Sequence, residues 1–128
     1  MGSIRKVILV TGDREWVDRK IIEMLMVKEN ETTLFLHGGA RGADSCTDEA
    51  ARAIGRPRAS IPYFGNFGRA GGPIRNSFML DVILGLKAQG YITEVWGFHD
   101  DLANSKGTKD MMTKAKGSGL KVRHFAHK

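Results

Sequence analysis

"TTLFLHGGARGAD" (Thr32–Asp44) is the stretch that decides the fold. A β-rich apolar run ends at His37 and gives way to Gly38, Gly39 and Gly42 around Arg41. The run has the length and apolarity of a buried strand. A turn needs one glycine or two. Three around an arginine read as backbone kept bare so that something can approach it closely. Beyond the loop, Ala43, Thr47, Ala50, Ala51 and Ile54 recur at helical spacing, a small-residue face suited to packing on a sheet. Strand, bare loop and helix in succession form half of a βαβ unit.

The same pattern recurs along the chain. Apolar, β-rich runs lie at 4–10, 32–37, 58–64, 93–98 and 120–125. Helical faces lie between them: Val17, Ile21, Ile22, Met24 and Leu25; then Ile74, Phe78, Met79, Val82, Ile83 and Leu86; then a short one at Met111, Met112 and Ala115. Strands that alternate with helices need crossover connections. The order therefore predicts an α/β three-layer sandwich, a mostly parallel five-stranded sheet with helices on both faces, in one domain over 1–128. The third helix carries a wider apolar stripe than one sheet face needs, which predicts a homodimer or higher symmetric oligomer.

Composition agrees with a soluble globular domain: 41% of residues are hydrophobic and 27% charged. No apolar run approaches the roughly 20 residues that span a bilayer. The apolar run between Lys6 and Thr11 is too short for a signal peptide, so no membrane partner and a cytoplasmic setting are expected. The single cysteine, Cys46, agrees with that setting and reads as inert packing. Of the net charge of +6, residues 111–128 carry +5 through Lys114, Lys116, Lys121, Arg123 and Lys128, with no acid among them. This end reads as a solvated basic tail, with a nucleic-acid surface as the alternative.

In parallel sheets, ligands bind beyond the carboxyl ends of the strands, where helix N-termini point. Nine of the 16 glycines fall on that predicted rim: Gly12; Gly38, Gly39 and Gly42; Gly65, Gly68, Gly71 and Gly72; and Gly107. Polar groups accompany them. "TGDR" brings Thr11, Asp13 and Arg14, and "HGGARGAD" brings His37, Arg41 and Asp44. "GRAGGPIRN" brings Arg69, Arg75 and Asn76, with Pro73 placed for a helix start, and "SKGT" brings Ser105, Lys106 and Thr108. Bare amides at helix N-termini with arginines beside them suit an anion, above all a phosphate. Tight βα turns with solvated arginines are the competing reading. Neither a GxGxxG nor a GxxxxGK[ST] fingerprint occurs, and no cofactor is called for.

Other polar residues leave alternatives open. His37 suits either a ligand contact or a buried structural role. Asp44 suits a helix cap or a partner for Arg41, and Thr108 suits a helix cap. His99, Asp100 and Asp101 are adjacent and so poorly placed to converge on one ion, and no metal is expected.

"VTGDREW", "HGGARGAD", "GRAGGPIRN" and "SKGTKDM", in this order and covering nearly the whole chain, resemble the SLOG superfamily, most of all its YspA-like branch. The resemblance implies a Rossmann-like fold. That superfamily includes the "Lonely Guy" phosphoribohydrolases, sensor domains for nucleotide signals such as ADP-ribose derivatives, and a DNA-processing protein. Its enzymes share a Pro-Gly-Gly-x-Gly-Thr-x-x-Glu stretch whose glutamate serves glycosidic cleavage. Aligned on Gly107 and Thr108, this chain has Ala103, Asn104 and Ser105 for Pro-Gly-Gly, and Met111 for the glutamate. Asp110, the weak catalytic candidate, is one position off, about 100° around a helix. The resemblance thus implies binding of a phosphorylated nucleotide or ADP-ribose-like ligand without turnover. A nucleoside 5'-monophosphate phosphoribohydrolase and a single-stranded nucleic-acid binder are the alternatives.

Overall fold

The structure is a computed structural model and describes residues 2–61 and 71–127. Five strands, β1 (Lys6–Gly12), β2 (Thr33–His37), β3 (Arg58–Ser60), β4 (Ile92–Phe98) and β5 (Lys121–Phe125), form one sheet. Four helices connect them: α1 (Arg19–Val27), α2 (Ala43–Ile54), α3 (Gly71–Ala88) and α4 (Gly107–Gly117), the last preceded by a 3₁₀ turn at Leu102–Asn104. The strand order is β3-β2-β1-β4-β5, and every pairing is parallel. The expected sheet is present, wholly rather than mostly parallel. β3 is only three residues long; the rest of its expected run, 62–64, lies outside the described residues.

β1 is central because Val7, Ile8, Leu9 and Val10 are apolar on both faces and at most 1% exposed. Ile8 and Val10 look toward α1 and α2 with Phe35, Trp96 and Phe98, while Val7 and Leu9 look toward α3 and α4 with Leu36 and Val95. Each fully buried large side chain contributes about 1.5–3 kcal/mol. On α2 the small-residue face behaves as expected, with Ala43, Thr47, Ala50 and Ala51 fully buried and Gly55 closing the helix in the left-handed conformation. α1 departs from expectation. It starts only at Arg19, capped by the Asp18 carboxylate accepting from the Ile21 amide, and buries Ile22 and Met26. Val17 and Met24 are 88% and 63% exposed, because Val17 precedes the capped start and Met24 lies about 200° around the helix from Ile22 and from Met26.

The basic end is no tail. Residues 107–117 and 121–125 are α4 and β5, built into the sheet, and their cations are dispersed. Lys114 pairs with Asp110, Lys121 lies near the buried Glu94, and the Arg123 guanidinium lies over the Trp96 and Phe125 rings. Past β5, the His127 ring stacks on Trp16 at 4.5 Å. Its Nε2 meets the Asp18 carboxylate at 2.9 Å, and its Nδ1 meets that of Asp100 at 2.8 Å. No described helix is long and apolar enough to cross a membrane.

Candidate functional site

The sheet order reverses direction at β1, which has β2 on one side and β4 on the other. Loops leaving β1 and β4 therefore part and open a crevice at their carboxyl ends. A cleft of about 750 Å³ lies there. The structure brings to its walls Thr11, Gly12, Asp13 and Arg14 after β1, Arg41 and Asp44 after β2, Arg75 and Asn76 on α3, and Ser105, Lys106, Gly107 and Thr108 at the start of α4. Asp110 is also on the wall. Gly38 and Gly39 belong to the adjoining loop rather than the wall. Gly71 and Gly72 open α3, and Arg69, with Gly65 and Gly68, lies outside the described residues.

The bare backbone of the Gly38–Gly42 loop proves to serve the chain itself. The Gly38 and Ala40 amides both donate to Asp44 Oδ2, at 3.1 and 3.2 Å. The Gly39 amide donates to His37 Nδ1 at 3.0 Å, and the Gly38 carbonyl accepts from Arg75 Nη1 at 3.1 Å. A Cβ on Gly38 would stand 3.1 Å from the Asp44 carboxylate and 3.3 Å from Arg75 Nε. Gly42, at φ +79° and ψ −127°, lies directly under the loop after β1, and a Cβ there would overlap the Asp13 carbonyl and the Arg14 backbone. That crossing lets the Asp13 carbonyl accept from the Ala43 amide at 3.0 Å, beside the Trp16 amide of its own turn at 3.1 Å. Gly12 is bare for a similar reason, since a Cβ would sit 2.6 Å from that of Ala43. The expectation that these amides are held open for a phosphate is therefore corrected: at 38, 39 and 40 they already have partners.

Gly107 differs. It is exposed on the cleft wall, and a Cβ there would meet nothing within 4 Å. The fold does not need it bare. Ser105 Oγ accepts from the Thr108 amide at 3.1 Å, so the expected cap at Thr108 belongs to Ser105, and Thr108 itself is buried. Asn76 reaches the Gly107 carbonyl at 3.5 Å and ties α3 to this turn.

The charged groups divide by depth. Arg41 is 73% exposed and pairs with Glu15 at 2.8 Å, at the mouth. Arg75 is buried and grips the loop, so it has a structural role beside any contact with a ligand. Asp44 is buried as well and holds the loop amides rather than Arg41. Burial pushes its carboxyl above the usual range, against the opposing pull of the Ala40 amide, His37 and Arg75. His37 resolves as structural. Nδ1 accepts from Gly39, so in the neutral ring the hydrogen is on Nε2, which donates to Asp48 at 3.0 Å. Asp48 is partly desolvated, yet its bonds to His37 and the nearby Arg58 and Arg52 hold its carboxyl below the usual range.

Sequence reasoning did not place Glu15, Met79, His99 and Lys114 on this cleft. For His99 a signal existed: it directly follows β4, on the same rim as the glycines. His99, Asp100 and Asp101 diverge toward Asp13, His127 and Asn104, and no group of three potential ligands gathers for a metal among the described residues. Around Gly107 and Thr108, Met111 is fully buried under the sheet, whereas Asp110 faces the cleft and pairs with Lys114 at 3.0 Å.

No protein-family model and no curated protein matches the sequence. Among solved structures, the chain is similar to DNA processing protein A (DprA) from Streptococcus pneumoniae, with a TM-score of 0.55 at 15% identity, over 94% of this chain and 58% of that one. The chain thus spans little more than half of that protein's length. At this identity the likeness is one of fold: a Rossmann-like α/β sandwich with its crevice at the reversal of strand order.

Proposed function

We propose that the protein binds a phosphorylated, nucleotide-like ligand in this cleft, with the phosphate at the start of α4. The observation that carries this reading is Gly107. Among the cleft's glycines it is the one whose bareness the chain's own packing does not use, and it opens an 11-residue helix on the cleft wall, where of the first amides that of Thr108 already has Ser105 as its partner. Lys106, Arg14 and Arg41 bring positive charge to the same cleft. The fold shared with DprA agrees with the SLOG resemblance of the four motifs, and a YspA-like, ADP-ribose-type ligand is the finer form of the reading. Binding without turnover follows from Met111, which buries an apolar side chain where the related enzymes keep their glutamate.

One observation favours a second reading, a phosphoribohydrolase: Asp110 is on the cleft wall, although Lys114 holds it. A positioned carboxylate of this kind typically contributes about 10²–10⁴-fold in rate. The experiment is to incubate nucleoside monophosphates and ADP-ribose with excess protein, separate bound from free, and analyse both by mass spectrometry. Intact ligand in the bound fraction is expected. Free base and ribose phosphate, abolished by Asp110→Asn, would establish the enzyme instead. Absence of any bound phosphorylated compound, with every probe recovered intact in the free fraction, would overturn both.

A further inference from the structure

We infer that Asp13 and His99 form a recognition pair for one sugar hydroxyl of the ligand; this rests on the phosphate-binding reading and adds the sugar to it. The two side chains directly follow different strands, β1 and β4, and meet on the cleft wall where those strands part. Both are held. Asp13 Oδ1 accepts from the Glu15 amide at 3.0 Å, and the Asp13 carbonyl accepts from two further amides. His99 is anchored through its backbone to Phe125 and His124, and its Nδ1 accepts from the Asp101 amide at 3.0 Å. The lone pair at Nδ1 is thereby engaged, so the neutral ring carries its hydrogen on Nε2.

That Nε2 stands 3.9 Å from Asp13 Oδ2. The separation is too long for a direct hydrogen bond, but one oxygen atom bridges it: placed at about 2.8 Å from each, it makes an angle of about 90° between donor and acceptor. The bridging group must accept from a ring N–H and donate to a carboxylate at once. A phosphate oxygen cannot donate and is repelled by Asp13. An ammonium cannot accept from His99. A carbonyl cannot donate. A hydroxyl does both. With a phosphate at the start of α4 on the same cleft, the pair selects a phosphorylated sugar over phosphate esters without hydroxyls.

The test uses the whole chain and two defined probes, ribose 5-phosphate and methyl phosphate, and reads the ratio of their affinities by titration calorimetry. Hydrogen bonds to a charged partner at a half-open site predict a ratio of about tenfold in the wild type. Asp13→Asn, which keeps the acceptor for the Glu15 amide, and His99→Phe each bring the ratio near one, with folding checked by thermal melting. Methyl phosphate binding with no gain for ribose 5-phosphate, or a ratio that survives in both variants, overturns the pair and leaves phosphate binding standing. Failure of both probes to bind the wild type overturns the proposed function, and this inference with it.

Discussion

Replacing Gly42 with alanine, beside the same change at Gly107, separates a glycine kept bare for the chain from one that we propose is kept bare for a ligand. At Gly42 the backbone has φ +79° and ψ −127°, a conformation nearly closed to residues with a Cβ, at a cost of about 1–3 kcal/mol. The new methyl would also overlap the Asp13–Arg14 backbone. Relieving that overlap moves the loop and strains the bonds from the Ala43 and Trp16 amides to the Asp13 carbonyl, each worth about 0.5–1.5 kcal/mol. Together Gly42→Ala should cost about 2–6 kcal/mol. At about 4 °C per kcal/mol for a chain of this length, Tm should fall by roughly 8–24 °C. Gly107 has no positive φ and no neighbour within 4 Å of a Cβ. Gly107→Ala should leave Tm unchanged or raise it slightly, since alanine favours helix by up to about 1 kcal/mol. Yet it should weaken ribose 5-phosphate binding about tenfold or more by filling the approach to the helix amides. Differential scanning calorimetry and titration calorimetry read the two quantities. A Gly42→Ala protein that melts within about 2 °C of wild type, or a Gly107→Ala protein that binds undiminished, would refute the division of roles.

Four further outcomes are expected. Arg41→Ala should change stability by less than about 1 kcal/mol, since its pair with Glu15 is solvent-exposed, and should weaken ligand binding about 10- to 150-fold. Arg75→Ala should instead cost about 2–3 kcal/mol in urea unfolding by orphaning the buried Gly38 carbonyl. The Asp100 and Asp18 carboxylates bonded to His127 hold its ring above the usual histidine range. The stabilisation they provide is therefore full below about pH 6.5 and lost as pH rises through the raised value. On the acid side, His127 holds Asp18 and Asp100 below the usual range, so their share is present above about pH 3.9 and lost as pH falls through the lowered values. NMR titration of the His127 ring reads this, and an ordinary midpoint would refute its pairing with Asp100 and Asp18. Light scattering at micromolar concentration should report a dimer or a higher oligomer, with Ile74 and Phe78, 38% and 44% exposed on α3, as the face to mutate; a monomer would reject it.

The alternation of apolar runs with helical faces was enough to determine the layers and the parallel sheet. Runs such as "VILV" in β1 are apolar at every position and so demand burial on both faces. Placing the glycines and arginines after strands was likewise enough to put most of the candidate residues around one cleft. Tertiary structure alone decided what each of them touches. Gly12 and Gly42 are bare because other segments of backbone cross over them, and nothing in local spacing announces a crossing. Arg75 reaches the Gly38 carbonyl across 37 positions, and His127 reaches Asp18 across 109. The exposure of Val17 was settled by where Asp18 caps α1, which leaves it outside the helix. Periodicity reports which face of an element is buried, because burial averages over many residues. Partner choice depends on single contacts between distant segments, and only the packed fold brings those segments together.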